Sequence, residues 1–240
     1  MTKINFIKVY LKKSTKFIPT SIKNFLKKLG IKKLWEKFIG KYADELNFQY
    51  NWANAYNGKS EELKEALILL WKKYRCLDDI LRICSITNES KILDVGCGIA
   101  TVLHILEGKK YGIDPLGEEY KKIYKYPEDL NIRKGFAEEI PFENEMFDFV
   151  FCSNALDHAT NPELALKEIN RVLNKNGYFV LVVEIKEKSF KRDIKHPHTF
   201  TEETLKELLL SDSFNIIFEK IMPWHGGYGS KGYIAIMRKR

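Results

Sequence analysis

The chain has 240 residues, 40 Lys and Arg against 32 Asp and Glu, a formal net charge of +8 and a hydrophobic fraction of 45%. That length accommodates one sizeable domain with an accessory segment, and a second catalytic domain would not fit comfortably in it. Its four cysteines, Cys76, Cys84, Cys97 and Cys152, include no CxxC pair, which argues against a disulfide framework and for thiols in a reducing compartment.

The charge is unevenly spread. Residues 1–41 hold twelve lysines and one acid, Glu36; removing them from the totals of 40 and 32 leaves 28 basic against 31 acidic residues. Within this arm Ile4, Ile7 and Leu11 recur at helical spacing, Pro19 breaks the pattern, and Ile22, Phe25, Leu26 and Leu29 resume it, continued by Ile31, Leu34, Trp35 and Phe38. Two basic amphipathic helices are expected, suited to an anionic membrane surface; packing against the domain with a solvated lysine face is the alternative. No apolar run reaches the ~20 residues that cross a bilayer, and lysines interrupt every candidate signal-peptide core. A cytoplasmic protein is expected, peripheral on the inner face of the membrane if the arm binds there.

Tyr42 to Tyr56 is dense in aromatics, and helices are expected over Gly58–Leu77 and Leu77–Ile86. Lys91–Val95 is a β-branched run that stops at Gly96 and Gly98, which reads as a buried parallel strand entering a tight turn whose amides can approach a ligand. A short helix is expected over Ile99–Leu106. A second strand, Lys109–Ile113, ends at Asp114, whose carboxylate is placed to accept both hydroxyls of a ribose. Asp94, just before the first glycine, would repel a pyrophosphate and attract an ammonium group, which favours S-adenosylmethionine over NAD. Further elements are a helix over Gly117–Tyr126, strands at Asn131–Arg133 and Phe147–Cys152, a helix at Pro162–Leu173, a turn at Asn174–Gly177 and a strand at Tyr178–Ile185. Thr201 opens a helix through a capping box. The alternation predicts an α/β, doubly wound, Rossmann-like sheet preceded by N-terminal helices.

Five motifs in order carry a family resemblance: LDVGCG at 93–98, GIDP at 112–115, AEEIPF at 137–142, FDFVFCSNALDH at 147–158 and INRVLNKNGYFVLVV at 169–183. The chain from about Leu77 to Arg240 resembles a class I S-adenosylmethionine-dependent methyltransferase of the small-molecule type. The resemblance implies a seven-stranded sheet closed by an antiparallel pair, Phe214–Ile221 and Lys231–Met237. It divides the chain into an arm at 1–41, a helical lid or accessory segment at 42–86 and a methyltransferase domain at 87–240.

By matching position, Gly96, Cys97 and Gly98 would line the methionine end of the cofactor, Asp114 the ribose, and Ala137 with Glu138 the adenine. Phe136 stands where many relatives have an Asp that meets the adenine amino group. Ser153 and Asn154 follow the fourth strand at the crevice mouth. His158 is the candidate base for a hydroxyl acceptor, although the matching histidine in the family often only shapes the site. Tyr50 and Trp52, with Phe48 and Tyr56, are candidates for a substrate wall, as are His196 and His198 of the HPHTF segment and Trp224 and His225 of WHGGY. Two histidines two apart without a carboxylate or cysteine cluster do not make a metal site.

The expected activity is O-methylation of a small or lipid-linked acceptor, a glycan or lipid head group. C-methylation of a prenylated quinone precursor and a non-catalytic membrane adaptor built on the cofactor fold are the alternatives. Nucleic acid is not expected as substrate, because no Asn/Asp-Pro-Pro-aromatic motif is present to hold a flipped base.

Overall fold

The computed structural model describes residues 45–186, 197–211, 214–224 and 231–239. The basic arm, His196 and His225 therefore lie outside the described residues. The chain divides into two units, Met1–Asn51 and Trp52–Arg240. In the first, residues 45–51 are helical; the second opens with helical residues 52–56.

The second unit is a seven-stranded sheet of order β3-β2-β1-β4-β5-β7-β6. Its strands are β1 (Lys91–Val95), β2 (Lys109–Asp114), β3 (Leu130–Lys134), β4 (Phe147–Ser153), β5 (Leu173–Ile185), β6 (Phe214–Pro223) and β7 (Lys231–Lys239). The first five pair in parallel, and β7 runs antiparallel to both β5 and β6. The expected fold class is the one observed. β1 and β4 are apolar almost throughout because a central parallel strand is covered on both faces.

One face packs against α4 (Pro162–Val172) and α5 (Glu202–Ser211). Leu166, Ile169, Leu205 and Leu209 meet Val150, Phe179 and Leu181 there in one core cluster. Each such large apolar side chain contributes roughly 1.5–3 kcal/mol by leaving water. The other face carries α1 (Ser60–Tyr74), whose Trp71 meets Phe151 of β4 edge-on at a centroid distance of 6.3 Å. α2 (Leu77–Cys84) follows and buries Leu77, Ile80 and Cys84.

Two expected helices are shorter than their sequences suggested. Ile99–Leu106 forms only a 3-10 turn, Val102–His104, started by Thr101, whose hydroxyl accepts from the Leu103 amide. Gly117–Tyr126 shrinks to α3 (Gly117–Tyr120). The stretch Asn174–Gly177 is not a free turn. It lies inside β5 as an out-of-register bulge, with pairing that jumps from Phe147↔Leu173 to Phe149↔Tyr178 and a positive φ of 65° at Asn176. The capping box at Thr201 forms with Thr204 as its partner: Thr201 N–H donates to Thr204 Oγ1 at 3.0 Å and Thr204 N–H to Thr201 Oγ1 at 3.2 Å.

Candidate functional site

The glycine turn after β1 is held from three sides. Gly96 has φ +74°, and a Cβ there would lie 2.3 Å from the Cβ of Ala155, so only glycine fits against the loop that follows β4. Its amide and that of Cys97 donate to the Ile113 carbonyl at 2.8 and 3.1 Å, and the Gly98 amide donates to Asp114 Oδ2 at 3.2 Å. The amides expected to face a ligand are thus turned onto β2. The Gly98 carbonyl accepts from the Tyr126 hydroxyl at 2.9 Å, and His104 Nε2 lies 3.0 Å from the Ile99 carbonyl. Burial raises the Tyr126 phenol and lowers His104, so the first keeps its proton and the second is a neutral Nε2–H donor.

Two carboxylates flank this turn. Asp114, at the tip of β2, also accepts the Leu116 amide on Oδ1 at 2.9 Å. Asp94 is 2% exposed. Its Oδ2 accepts from Thr101 Oγ1 at 2.6 Å, while its Oδ1 is buried without a hydrogen-bond partner. Burial drives its pKa up to about 7, against the lowering effects of the Thr101 hydroxyl, the Val102 amide and the Arg75 charge.

Arg75, the residue after α1, was not among the sequence candidates. Its guanidinium lies 5.0 Å from the Trp71 ring and donates through Nη1 to Ser153 Oγ at 2.9 Å, at the end of β4. Its Nε is shut off from solvent without a partner, and burial lowers its pKa to about 10 despite the nearby Asp94. Arginine is scarce in this lysine-rich chain, and that scarcity at the end of an apolar helix was the one available signal.

Beyond Ser153, Asn154 adopts φ 54°, the left-handed region, and its amide donates to Val182 O at 2.7 Å. This bend starts the 3-10 turn Leu156–His158. Asp157 is buried, and its Oδ2 lies 3.9 Å from His158 Nε2; the His158 side chain is 26% exposed. His198 joins this corner: its amide donates to the Asp157 carbonyl at 3.3 Å and its Nε2 lies 3.3 Å from Thr160 O.

Ala137 and Glu138 follow β3. The Glu138 carboxylate accepts from the Thr160 and Asn161 amides, so it caps the approach to α4. Phe136 beside it is 41% exposed. Trp224 packs over Gly232, where a Cβ would lie 2.9 Å from its ring, at the end of the sheet where β5 finishes. Trp52 stacks on Tyr56 at 5.7 Å, whereas Tyr50 belongs to the first unit. Burial raises the Cys97 and Cys152 thiols well above their usual range, which leaves them unreactive. Among the described residues no three His, Cys, Asp or Glu side chains gather as a metal site.

A buried carboxylate with an orphaned oxygen beside β1, a second carboxylate at the tip of β2 and a cation at the end of β4 fit an amino-acid-bearing nucleoside. Residues 93–181 match the family described as a methyltransferase domain. A putative methyltransferase, YrhH, of Bacillus subtilis is 29% identical over 126 residues, covering 47% of this chain and 70% of that protein. Demethylmenaquinone methyltransferase of Staphylococcus haemolyticus is 30% identical over 46% of this chain and 48% of its own length. The chain spans 36%, 40% and 57% of three further curated relatives. A solved S-adenosylmethionine-dependent methyltransferase from Methanosarcina mazei superposes with a TM-score of 0.55 at 20% identity, covering 69% of this chain and 97% of that one. Residues 93–181 thus match a methyltransferase domain, and the sheet shares the fold of solved S-adenosylmethionine-dependent methyltransferases.

Proposed function

We propose that the chain methylates an oxygen of a small or lipid-linked acceptor, with His158 as the base. S-adenosylmethionine supplies an electrophilic methyl group already attached to a sulfonium, so the protein has to bind, align and exclude water. Asp94 attracts the methionine end, the backbone of the turn Gly96, Cys97 and Gly98 shapes its floor, and Asp114 accepts the ribose hydroxyls. Ala137 and the Glu138 backbone flank the adenine, and Ser153 and Asn154 border the transfer point. Tyr50, Trp52, His196, His198, Trp224 and His225 remain the acceptor-side candidates.

The observation that carries the oxygen reading is the partly exposed His158 imidazole, 3.9 Å from a buried carboxylate, on the turn that leaves β4. A hydroxyl nucleophile must lose its proton as it attacks, and a positioned imidazole takes it. The test is tritiated methyl transfer into fractionated lysate, followed by transfer kinetics on the labelled fraction. His158→Ala is expected to lower kcat about 100-fold or more with cofactor affinity nearly unchanged. An unchanged kcat removes the base, and a lost cofactor affinity makes the residue structural.

Methylation of a carbon in a prenylated quinone precursor is the second reading, favoured by the relative named demethylmenaquinone methyltransferase. Label appearing in a prenylated quinone would decide for it.

A further inference from the structure

Glu184, near the end of β5, and Lys186, just past it, lie outside the glycine turn and its carboxylates. They pair at 3.2 Å with side chains only 14% and 15% exposed. An ion pair this far out of water returns little folding stability, because desolvation offsets the attraction.

Their surroundings belong to the acceptor side of the sheet. Along β5, Leu181, Val183 and Ile185 join the core cluster with α4 and α5, so Val182 and Glu184 face the other way. On that face Trp71 meets Phe151 and Arg75 bonds Ser153. Ser153 pairs with Val182, which puts Glu184 one row farther out, about 7 Å along the strand at ~3.3 Å per residue. Glu184 in turn pairs with Gly232. Directly opposed residues of an antiparallel pair share a face, and the space that a Gly232 side chain would fill is taken by the half-buried Trp224 ring. The indole therefore lies beside Glu184 on the same face. The Lys186 amide donates to Phe200 O at 2.8 Å, and the His198 amide two residues earlier donates to the carbonyl of Asp157, the neighbour of His158. An indole, a carboxylate and an ammonium thus sit one row out from Ser153, on backbone tied to the candidate base.

These three groups select by charge. Glu184 would repel a phosphate and Lys186 an ammonium, both from positions with little water to screen them. An apolar group would cover the pair without bonding the carboxylate, which leaves the charges drier and unrewarded. A neutral ring with adjacent hydroxyls suits all three: its O–H groups donate to Glu184, its oxygens accept from Lys186, and its C–H face lies on the negative face of the indole. We propose that Glu184, Lys186 and Trp224 form the acceptor subsite and that the acceptor is a sugar. This rests on the oxygen-methylation reading and deepens it. A sugar hydroxyl attacks the methyl carbon, the C–S bond breaks with its electron pair left on sulfur, and the hydroxyl proton passes to His158.

The test incubates the full chain with tritiated S-adenosylmethionine and lysate, separates aqueous from chloroform–methanol fractions, then hydrolyses the labelled material in acid and resolves it by chromatography. Label in an O-methyl monosaccharide is expected, from the aqueous fraction for a free, nucleotide-bound or polymeric sugar and from the organic fraction for a lipid-linked one. Label on a non-sugar oxygen overturns the sugar subsite while oxygen methylation stands; label on carbon, or no label in either fraction, overturns both. On the labelled acceptor, Trp224→Ala and Glu184→Gln are each expected to raise KM about tenfold or more, with kcat changed less than about threefold and S-adenosylhomocysteine affinity unchanged. An unaltered KM in either variant overturns the subsite, and so does a parallel loss of S-adenosylhomocysteine affinity, which marks a structural role. Should Glu184→Gln fail to fold, Trp224→Ala and Trp224→Phe decide, the second being expected to recover part of the loss in KM.

Discussion

Asp94 is a carboxylate almost out of water, and burial pushes its pKa from about 3.8 up to about 7. Because the folded value lies above the unfolded one, the native state holds an extra proton between about pH 4 and 7, and stability falls as pH rises through that window. The full effect is of order 4 kcal/mol at ~1.4 kcal/mol per pH unit. Urea midpoints measured from pH 4 to 8 without cofactor are expected to fall, and Asp94→Asn is expected to flatten the fall; an unchanged slope in the variant contradicts the assignment. Gly96 is the second sensitive position. Gly96→Ala places a methyl 2.3 Å from the Ala155 Cβ at a φ that disfavours L residues, so a loss of roughly 2–4 kcal/mol is expected. Ala155→Gly in the same chain should return part of it, because one of the two clashing methyls is gone. Residues on the strand ends were legible in the sequence, since Asp94, Gly96 and Asp114 follow strand runs at fixed offsets. Arg75 was not. Its role depends on Trp71 and Phe151 meeting across 80 residues of chain, which no local pattern records.

Elements on the sheet face covered by α4 and α5 matched their sequence signals, because caps and apolar stripes agree there. α4 starts at Asn161, whose side chain accepts from the Leu164 amide, with Pro162 at its first position and Ala165, Leu166, Ile169 and Val172 buried. Asn161→Ala is expected to cost about 1 kcal/mol in chemical denaturation. The same helix pins the segment after β3: Arg171 donates to the Ile140 and Phe142 carbonyls at 2.8 and 2.9 Å, and Glu168 accepts the Ile140 amide at 2.9 Å. Elsewhere α1 and α2 also followed their signals, but two shorter segments did not. Ile99–Leu106 had helical spacing, but Thr101 and His104 satisfy the local backbone themselves and stop the helix after one turn, while α1 touches that turn from outside. Tertiary contacts replaced propensity there. The same holds beyond Tyr120, where Tyr124 and Tyr126 pack edge to face at 5.0 Å and send the chain back to the glycine turn.

At the scale of the whole chain the strand order follows from alternating strands and helices with right-handed crossovers. The polar ends of β1, β2 and β4 then fall together without further instruction. The arm at 1–41 is a separate matter. Its twelve lysines and apolar stripes motivate the proposal that it docks on anionic membrane, where each engaged lysine contributes on the order of 1 kcal/mol at low salt. Among the described residues no helix is long and apolar enough to cross a membrane. Co-sedimentation with acidic vesicles should retain the full chain at low salt and release it at high salt, while a chain beginning at Tyr42 stays in the supernatant; indifference of the full chain to the vesicles refutes the proposal. The central claim is that S-adenosylmethionine sits across the ends of β1 and β2 with its ribose on Asp114. Calorimetric titration of S-adenosylhomocysteine into the full chain and into Asp114→Ala tests it most directly. Saturable one-to-one binding, weakened about ten- to a hundredfold in the variant, is the predicted result, since a charge-assisted acceptor of two hydroxyls contributes roughly 1.5–3 kcal/mol. Equal affinity in the two proteins contradicts it.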